Sequence, residues 1–253
     1  MSTIARSQET PAPQEETAPR ARTRRPHLIP ELLLVFALYE LYSIGRYLAA
    51  PAGAYAHAES LWRFERWVHL PNEASVQQLA LHWPRLVDLA NLHYQVGYVI
   101  SLVGSLVWIY WRHPRYYIWY RRFLTLATGL GLLGQIFYPM APPRLLPGDD
   151  VVDTAVIYGH AVFGPVGTGL ANQFAAMPSL HVGWALAVAV GAIVILRSPW
   201  RWLFLLHPAL TLAVVVVTGN HYWTDGIVAS VIVLVALWIS RLWLPQEEPA
   251  LAP

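Results

Sequence analysis

The sequence contains no cysteine and no lysine, and only 13% of its 253 residues are charged. Without cysteine the chain has neither a disulfide framework nor thiolate chemistry. A soluble domain usually carries about a quarter charged residues, so the shortage of charge argues against an ordinary soluble protein. What the chain does have is 56% hydrophobic residues, 12 Trp and 13 Tyr. This composition is typical of a membrane protein, and we expect the bilayer, not nucleic acid, as its partner.

The apolar residues fall into stretches of membrane-spanning length. A hydrocarbon core about 30 Å thick requires roughly 20 apolar residues of helix. We therefore predict an all-α membrane protein with a six-helix bundle and an additional interfacial helix. The six predicted spans are Ile29–Ala50, Leu92–Trp111, Phe123–Met140, Pro178–Leu196, Trp200–Val217 and Thr224–Trp243.

The two ends of the chain differ from this apolar part. Residues 1–28 are polar and lack apolar periodicity, which predicts a disordered cytoplasmic tail. Residues 29–244 form the predicted membrane domain, and 245–253 a short C-terminal tail. An alternative for the first stretch is a signal peptide, because Ala54–Ala58 resembles a cleavage site. Charged residues inside that stretch, Glu31, Glu40 and Arg46, favour a retained helix instead.

The segment Glu59–Trp83 mixes aromatic and charged residues. This mixture is typical of a helix that lies in the membrane interface, with tryptophan at the depth of the headgroups. Glu59 and Arg63 are four residues apart and are expected to pair on its wet face. A solvated helix that caps the bundle is the alternative.

The arginines predict how the chain is oriented. With six spans both termini lie on one side, and 12 of the 17 basic residues fall there. The remaining five, on the opposite side, are Arg46, Arg63, Arg66, Arg85 and Arg144. Positive residues stay in the cytoplasm, so we predict a multi-pass protein of the cell membrane with cytoplasmic termini. The loops 51–91, 141–177 and 218–223 then face outward.

Three unusual clusters lie on this outward side: Tyr138–Gly148, Met177–His181 and Thr218–Asp225. Pro178 fits the first position of a helix, whose N-terminal N–H groups attract anions. Ser179 adds a hydroxyl donor, and His181 lies on the same turn. A helical bundle can bring all three clusters together at one membrane face.

The other two clusters supply complementary groups. His221 and Asp225 are four residues apart, so on a helix the carboxylate can orient the imidazole. Arg144 offers a planar fork that matches phosphate oxygens. One histidine can then attack phosphorus while the other protonates the leaving oxygen. This chemistry predicts phosphoester transfer through a phosphohistidine, without a metal or other cofactor.

Simpler interpretations exist for each of these residues. His181 alone suits an interfacial polar residue, His221 and Asp225 a hydrogen bond between a turn and a helix, and Arg144 an interfacial anchor. A zinc site built from His181, His221 and Asp225 is chemically possible, although no common zinc motif supports it. His207, within the fifth predicted span, is expected to satisfy a carbonyl released by Pro208.

The clusters resemble the type 2 phosphatidic acid phosphatase superfamily. "PSLH" and "HxxxD" are similar to its second and third motifs. "APPRLLP", "AAMPSLHVGWA" and "TGNHYWTD" are similar to its inositol phosphorylceramide synthase branch and related bacterial membrane proteins. The resemblance implies that His221 is the nucleophile, Asp225 its partner and His181 the proton donor. It also implies that Arg144 and Ser179 hold the phosphoryl oxygens.

The sequence departs from this family at two phosphate-binding positions. The first motif usually carries a lysine, which this chain lacks, and the third often has Ser-Arg where Val214 and Val215 stand. Our hypothesis is that Arg46 replaces one of the missing cations. Asn172 and Gln173 are candidate contacts for an acceptor substrate.

We therefore expect a membrane phosphotransferase that acts on a lipid phosphoester, with inositol or another polyol as a possible acceptor. A lipid phosphate phosphatase, of the phosphatidic acid or isoprenyl diphosphate type, is the alternative within the same chemistry. A transporter and a non-catalytic scaffold are the alternatives from other classes. A transporter is disfavoured because its ionisable residues would lie near the midplane of the membrane.

Overall fold

The computed structural model describes residues 26–48, 52–148, 150–160 and 173–245, with the backbone alone at 42 and 45–48. In these ranges the chain is helical, with a single isolated bridge between Met140 and Ala175. The helices are α1 Leu28–Leu48, α2 Ala54–Trp67, α3 Glu73–Leu81, α4 Pro84–Leu92, α5 Tyr98–Arg112, α6 Pro114–Phe137, α7 Thr154–Ile157, α8 Leu180–Ile195, α9 Leu206–Val217 and α10 Trp223–Ser240. A π-helical turn, His93–Gly97, joins α4 to α5, and 3-10 turns span Pro143–Leu145, Pro199–Leu205 and Arg241–Trp243.

Short polar side chains start several of these helices. The side chain of Asn72 accepts the N–H of Ser75 at the start of α3, and Asp153 accepts two N–H groups at the start of α7. Pro84 and Pro114 stand at the first positions of α4 and α6. Proline is well suited there because its missing N–H would have no partner within the helix.

Three helical segments of the described chain are long and apolar enough to cross a membrane: Pro84–Arg112, Pro199–Val217 and Trp223–Trp243. The all-α prediction is therefore confirmed, but the count of six spans is not supported. The first half of α6 carries Arg115, Arg121 and Arg122, so only its second half is uniformly apolar. Helix α8 has 16 residues, fewer than the roughly 20 that a hydrocarbon core requires.

The centre of the bundle is formed by α6, α8 and α10. Buried Tyr120 and Phe123 of α6 pack with Val190 of α8 and Val233 of α10. Helix α8 is rich in alanine and glycine, and such small residues let neighbouring helices approach closely. A Cβ atom added at Gly191 would lie only 2.5 Å from the ring of Tyr120, so this glycine is required by the packing.

A buried ion pair attaches α1 to α6 at the end of the bundle where α8 finishes. Arg121 binds the Glu31 carboxylate, and the hydroxyl of Tyr117 donates to the same carboxylate at 3.1 Å. Glu31, one of the charges that interrupt the first predicted span, is thus compensated inside the protein. Residues 1–25 and 246–253, which include most of the two predicted tails, lie outside the described residues.

The predicted interfacial segment is divided into α2 and α3, and α4 begins at its end. The Glu59–Arg63 pair is present on the exposed side of α2, as predicted. Glu65, however, is fully buried, as is Glu73 on α3. Glu65 accepts the backbone N–H of Thr224 at the start of α10, and Glu73 accepts a hydrogen bond from Arg66 of α2, so the segment contacts the part of the bundle where the clusters of unusual residues meet.

Candidate active site

His221 lies in the turn before α10 and is 4% exposed. Its Nδ1 is 2.7 Å from the carbonyl oxygen of Ala176 and 3.2 Å from Oδ2 of Asp225. The same carboxylate oxygen accepts the backbone N–H of Tyr222 at 2.9 Å, which caps the first turn of α10. The predicted pairing of His221 with Asp225 is therefore present, with a backbone carbonyl as a second partner.

This arrangement determines the tautomer of the neutral imidazole. A carbonyl oxygen and a carboxylate both accept hydrogen bonds, so Nδ1 must carry the hydrogen that it donates to them. Nε2 then has a lone pair, which is the requirement for a nucleophile. The geometry assigns this proton, since hydrogen positions follow from the hydrogen-bonding partners.

The carbonyl of Ala176 is held in place by the end of α6. Met140 donates its N–H to Phe174 at 2.7 Å and accepts that of Ala176 at 3.2 Å. The buried side chain of Gln135 donates to the carbonyls of Ala175 and Pro178, at 3.2 and 3.1 Å. The chain before α8 is thus fixed against α6 on both sides of the carbonyl that binds His221.

His181 stands in the first turn of α8, close to His221. The centres of the two imidazole rings are 5.8 Å apart. At this separation the two rings line the same site, and both can contact one small group such as a phosphoryl group. The two histidines therefore converge, as the sequence predicted.

Two tyrosines enclose the ring of His181. Tyr94, in the π-helical turn, stacks on it with a centroid distance of 4.3 Å and an interplanar angle of 25°. Tyr98, at the start of α5, meets it edge-on at 4.5 Å and 76°. π-Helical turns often occur at functional sites, and this one contributes Tyr94 to the contact with His181.

Arg144 lies beside the loop that precedes His221. Its backbone N–H donates to Gly219 at 3.1 Å, and its guanidinium binds the side-chain oxygen of Asn220. Nε is 3.2 Å from Oδ2 of Asp153, and the side chain is only 3% exposed. Arg144 is thus a buried, ion-paired residue, which replaces the interpretation as a plain interfacial anchor.

Ser179 is the N-cap of α8, and its Oγ accepts the N–H of Val182 at 3.4 Å. The prediction that Pro178 occupies the first helical position is wrong, because the helix begins two residues later. The backbone N–H of Ser179 donates to the carbonyl of Asp225 at 3.2 Å. This bond joins the start of α8, which carries His181, to the start of α10, which follows the turn that carries His221.

Three predicted contacts are placed only in part. The backbone of Arg46 belongs to α1, but its side chain falls outside the described residues, as does the whole of Asn172. Gln173 is described and partly buried, two residues before the bridge at Ala175. For the zinc alternative, the described part of the chain holds no group of three or more histidine, cysteine or acidic residues suited to a metal ion.

A family model described as the PAP2 superfamily matches residues 59–239. The chain belongs to the PAP2 superfamily. No curated protein and no solved structure matches it. Membership supports an enzyme, a phosphatase or phosphotransferase acting on phosphoesters, over a transporter or a scaffold. It also suggests a phosphorylated lipid as the class of substrate.

The matched region of this PAP2 protein includes the positions where the sequence departs from the motifs named above. Val214 and Val215 are 7% and 0% exposed. The carbonyl of Val215 accepts the N–H groups of Asn220 and His221, at 3.0 and 3.2 Å. The two valines therefore support the turn that carries His221 through the backbone, and their apolar side chains cannot bind phosphate.

Sequence reasoning missed Gln135, Tyr94, Tyr98 and the carbonyl of Ala176. Gln135 had a detectable signal in the sequence, because it is a polar amide within an apolar stretch that has no charged residue. In the structure its side chain is buried. The two tyrosines had none, since nothing in the sequence separates them from the other 11. A backbone carbonyl leaves no trace in a pattern of side chains.

Replacing Tyr94 by leucine is expected to lower kcat roughly 3- to 30-fold, because an aromatic face beside a histidine contributes about 0.5–2 kcal/mol. Tyr94→Phe keeps the stacked face and is expected to keep kcat. Steady-state turnover of a phosphoester by both variants, beside the wild type, checks this. Equal losses in the two variants would show that the hydroxyl, and not the ring face, is what His181 requires.

Proposed function

We propose that this PAP2 protein is a membrane phosphotransferase that moves a phosphoryl group from a lipid phosphoester to an alcohol through a phosphohistidine at His221. His181 serves as the acid and then as the base, and Asp225 orients His221. The acceptor is inositol or another polyol, as the similarity of "TGNHYWTD" to the inositol phosphorylceramide synthase branch suggests. Water as acceptor would make the same site a lipid phosphate phosphatase.

One observation carries this proposal. Nδ1 of His221 is committed to two acceptors, the carbonyl of Ala176 and Oδ2 of Asp225, while the ring of His181 lies 5.8 Å away. The first fact supports Nε2 of His221 as the nucleophile, and the second supports His181 as the proton donor to the leaving oxygen. Nucleophile, orienting carboxylate and acid–base group are the parts that covalent catalysis requires.

The two steps balance as follows. Nε2 of His221 attacks phosphorus, the bond to the lipid oxygen breaks, and protonated His181 gives its proton to that oxygen. In the second step His181 takes the proton of the acceptor hydroxyl. The acceptor oxygen then attacks phosphorus, the N–P bond breaks, and His221 regains its lone pair.

Three residues are proposed to hold the phosphoryl oxygens: Arg144, Ser179 and Arg46. Arg144 is supported by its position against Gly219 and Asn220, next to His221, and by the several N–H donors of a guanidinium. Ser179 is supported by its place at the start of α8, two residues before His181. Arg46 is proposed because the family's lysine is absent, and Asn172 and Gln173 are proposed as acceptor contacts.

The site is proposed to face outward at the surface of the cell membrane, with both termini in the cytoplasm. The starts of α8 and α10 form the catalytic end of the bundle. The opposite end carries most of the described arginines: Arg112, Arg115, Arg121, Arg122, Arg197, Arg201 and Arg241. Because positive residues are retained in the cytoplasm, this distribution favours the proposed orientation.

The partition of a labelled phosphoryl group tests the choice of acceptor. We expect purified protein, given radiolabelled phosphatidic acid and millimolar inositol, to move label into an organic phosphoester. Release of inorganic phosphate should fall as inositol rises, since both acceptors compete for one intermediate. Chromatography of the water-soluble products measures the two fractions. If all label appears as inorganic phosphate at every inositol concentration, inositol is not the acceptor and the phosphatase alternative holds for this lipid.

A further inference from the structure

Two glutamates outside the catalytic residues are buried beside each other, and one of them contacts the start of α10. Glu65 of α2 and Glu73 of α3 are both 0% exposed. Oε1 of Glu65 accepts the backbone N–H of Thr224 at 2.7 Å, and the indole of Trp223 donates to the carbonyl of Pro71 at 2.9 Å. The α2–α3 hairpin therefore binds the first turn of α10, directly beside the turn that carries His221.

Among the described residues, one cation, Arg66, is paired with these two carboxylates. Nη2 of Arg66 is 3.1 Å from Oε2 of Glu73 and 3.6 Å from Oε2 of Glu65. Oε2 of Glu65 and Oε1 of Glu73 are buried and make no hydrogen bond to a donor in the described chain. A single proton held between the two carboxyl groups satisfies both oxygens, and it leaves one negative charge for Arg66 to balance.

The electrostatics place this proton on Glu73. Burial raises the pKa of Glu73 to about 9, and a hydrogen bond with Glu65 and the charge of that residue add to the effect. The Glu65 carboxyl group lies between Arg66 and the N–H of Thr224. An anion at a helix N-terminus is stabilised by the helix dipole. A second negative charge, on Glu73, would face that of Glu65.

We propose that Glu65 and Glu73 share one proton and act as a positioning pair, which holds the first turn of α10 so that Asp225 stays aligned with His221. This inference rests on the proposed function, because it assigns the pair to the same catalytic histidine. The link is short: Glu65 binds the N–H of Thr224, and Thr224 precedes Asp225 in the chain. Neither glutamate touches the reacting atoms, so both act through α10.

Matched variants separate the two carboxyl groups. Glu65→Met has similar length but no acceptor for Thr224, and we expect kcat to fall roughly 10- to 100-fold, because small misplacements of catalytic groups carry losses of this size. KM should stay within about twofold, since the phosphate-binding residues are unchanged. Glu73→Gln replaces a protonated carboxyl with a neutral amide and should keep kcat within about twofold. Glu59→Met, on the exposed face of α2, is the control and should match the wild type.

A second measurement depends neither on catalysis nor on the folding of Glu65→Met, because it follows the stability of other variants. The pKa of Glu73 is raised from 4.5 to about 9 on folding, so the folded protein binds this proton more tightly than the unfolded chain does. The free energy of unfolding should therefore decrease as the pH rises from about 5 to 9. Glu73→Gln should lose part of this slope, whereas Glu59→Met should keep it. Thermal unfolding of the full chain in detergent, at several pH values, measures it.

Each of the two experiments has its own outcome that would contradict the proposal. If Glu73→Gln keeps the full slope of the wild type, the shared proton is wrong. If Glu65→Met folds and keeps full kcat, or raises KM instead of lowering kcat, the pair does not position His221. Both results are independent of the acceptor, and the pH slope is independent of turnover, so neither failure can be confused with failure of the proposed phosphotransfer.

Discussion

His221→Gln is expected to remove the covalent intermediate and turnover together. Glutamine keeps a polar group near Ala176 but has no nitrogen lone pair that can attack phosphorus. Loss of a nucleophile lowers kcat by about 10⁴- to 10⁶-fold in enzymes whose catalytic groups act as a unit. The measurement uses a labelled lipid phosphate, rapid quenching and recovery of the protein. A phosphohistidine is identified because its label is lost in acid and kept in base.

The matched control for this variant is His82→Gln. His82 is an exposed histidine at the end of α3, and its Nδ1 bonds only to carbonyls of its own helix among the described contacts. This variant should carry label and turn over as the wild type does. Acid-labile label that persists on His221→Gln would assign the nucleophile to another histidine, with His181 the first candidate.

His181→Gln is expected to have an effect that depends on the leaving group. With an alkyl lipid ester, whose oxygen must be protonated as it departs, kcat/KM should fall by roughly 10²- to 10⁴-fold. With a nitrophenyl phosphoester, whose oxygen leaves without a proton, formation of the intermediate should change little. His181 is also the proposed base of the second step, so the labelled intermediate should accumulate with the activated ester. Stopped-flow release of nitrophenolate should show a burst and then a slow phase.

The contrast between the two esters is the internal control of this experiment. A variant that merely folds badly would lose both activities to the same extent. Equal losses of kcat/KM, which reports formation of the intermediate, with the alkyl and the nitrophenyl ester would therefore contradict the acid role of His181. In that case the ring stacked against Tyr94 and Tyr98 would serve to shape the site rather than to move a proton.

The residues of the candidate active site were predictable because topology constrains them. His181 and His221 each stand at the start of an apolar helix, and both helices begin at the same end of the bundle. The spacing of His221 and Asp225 fixed their pairing on one turn. Residue type, spacing and the order of the apolar stretches are enough to predict that these three groups lie together.

Other features depend on packing, which leaves no local pattern. Whether Tyr94 meets His181 depends on the π-helical turn, which shifts the register between α4 and α5. Glu65 has the sequence context of a solvated interfacial residue, yet the fold buries it beneath α10. The prediction of six membrane spans was not supported for a related reason. Apolar length in the sequence did not reveal where α6 begins, three arginines before its apolar half, or that α8 is cut short by a serine cap.

The carbonyl of Ala176 has a consequence for the division of labour around His221. The carbonyl oxygen of Ala176 and the carboxylate of Asp225 both accept a hydrogen bond from Nδ1 of His221, so either acceptor alone would keep the hydrogen on Nδ1. In the proposed mechanism, the particular contribution of the Asp225 carboxylate is then its negative charge, which balances the positive imidazole ring of the phosphohistidine. If one acceptor were lost, the other would still orient the ring. Loss of the Asp225 carboxylate, however, would also remove the counter-charge.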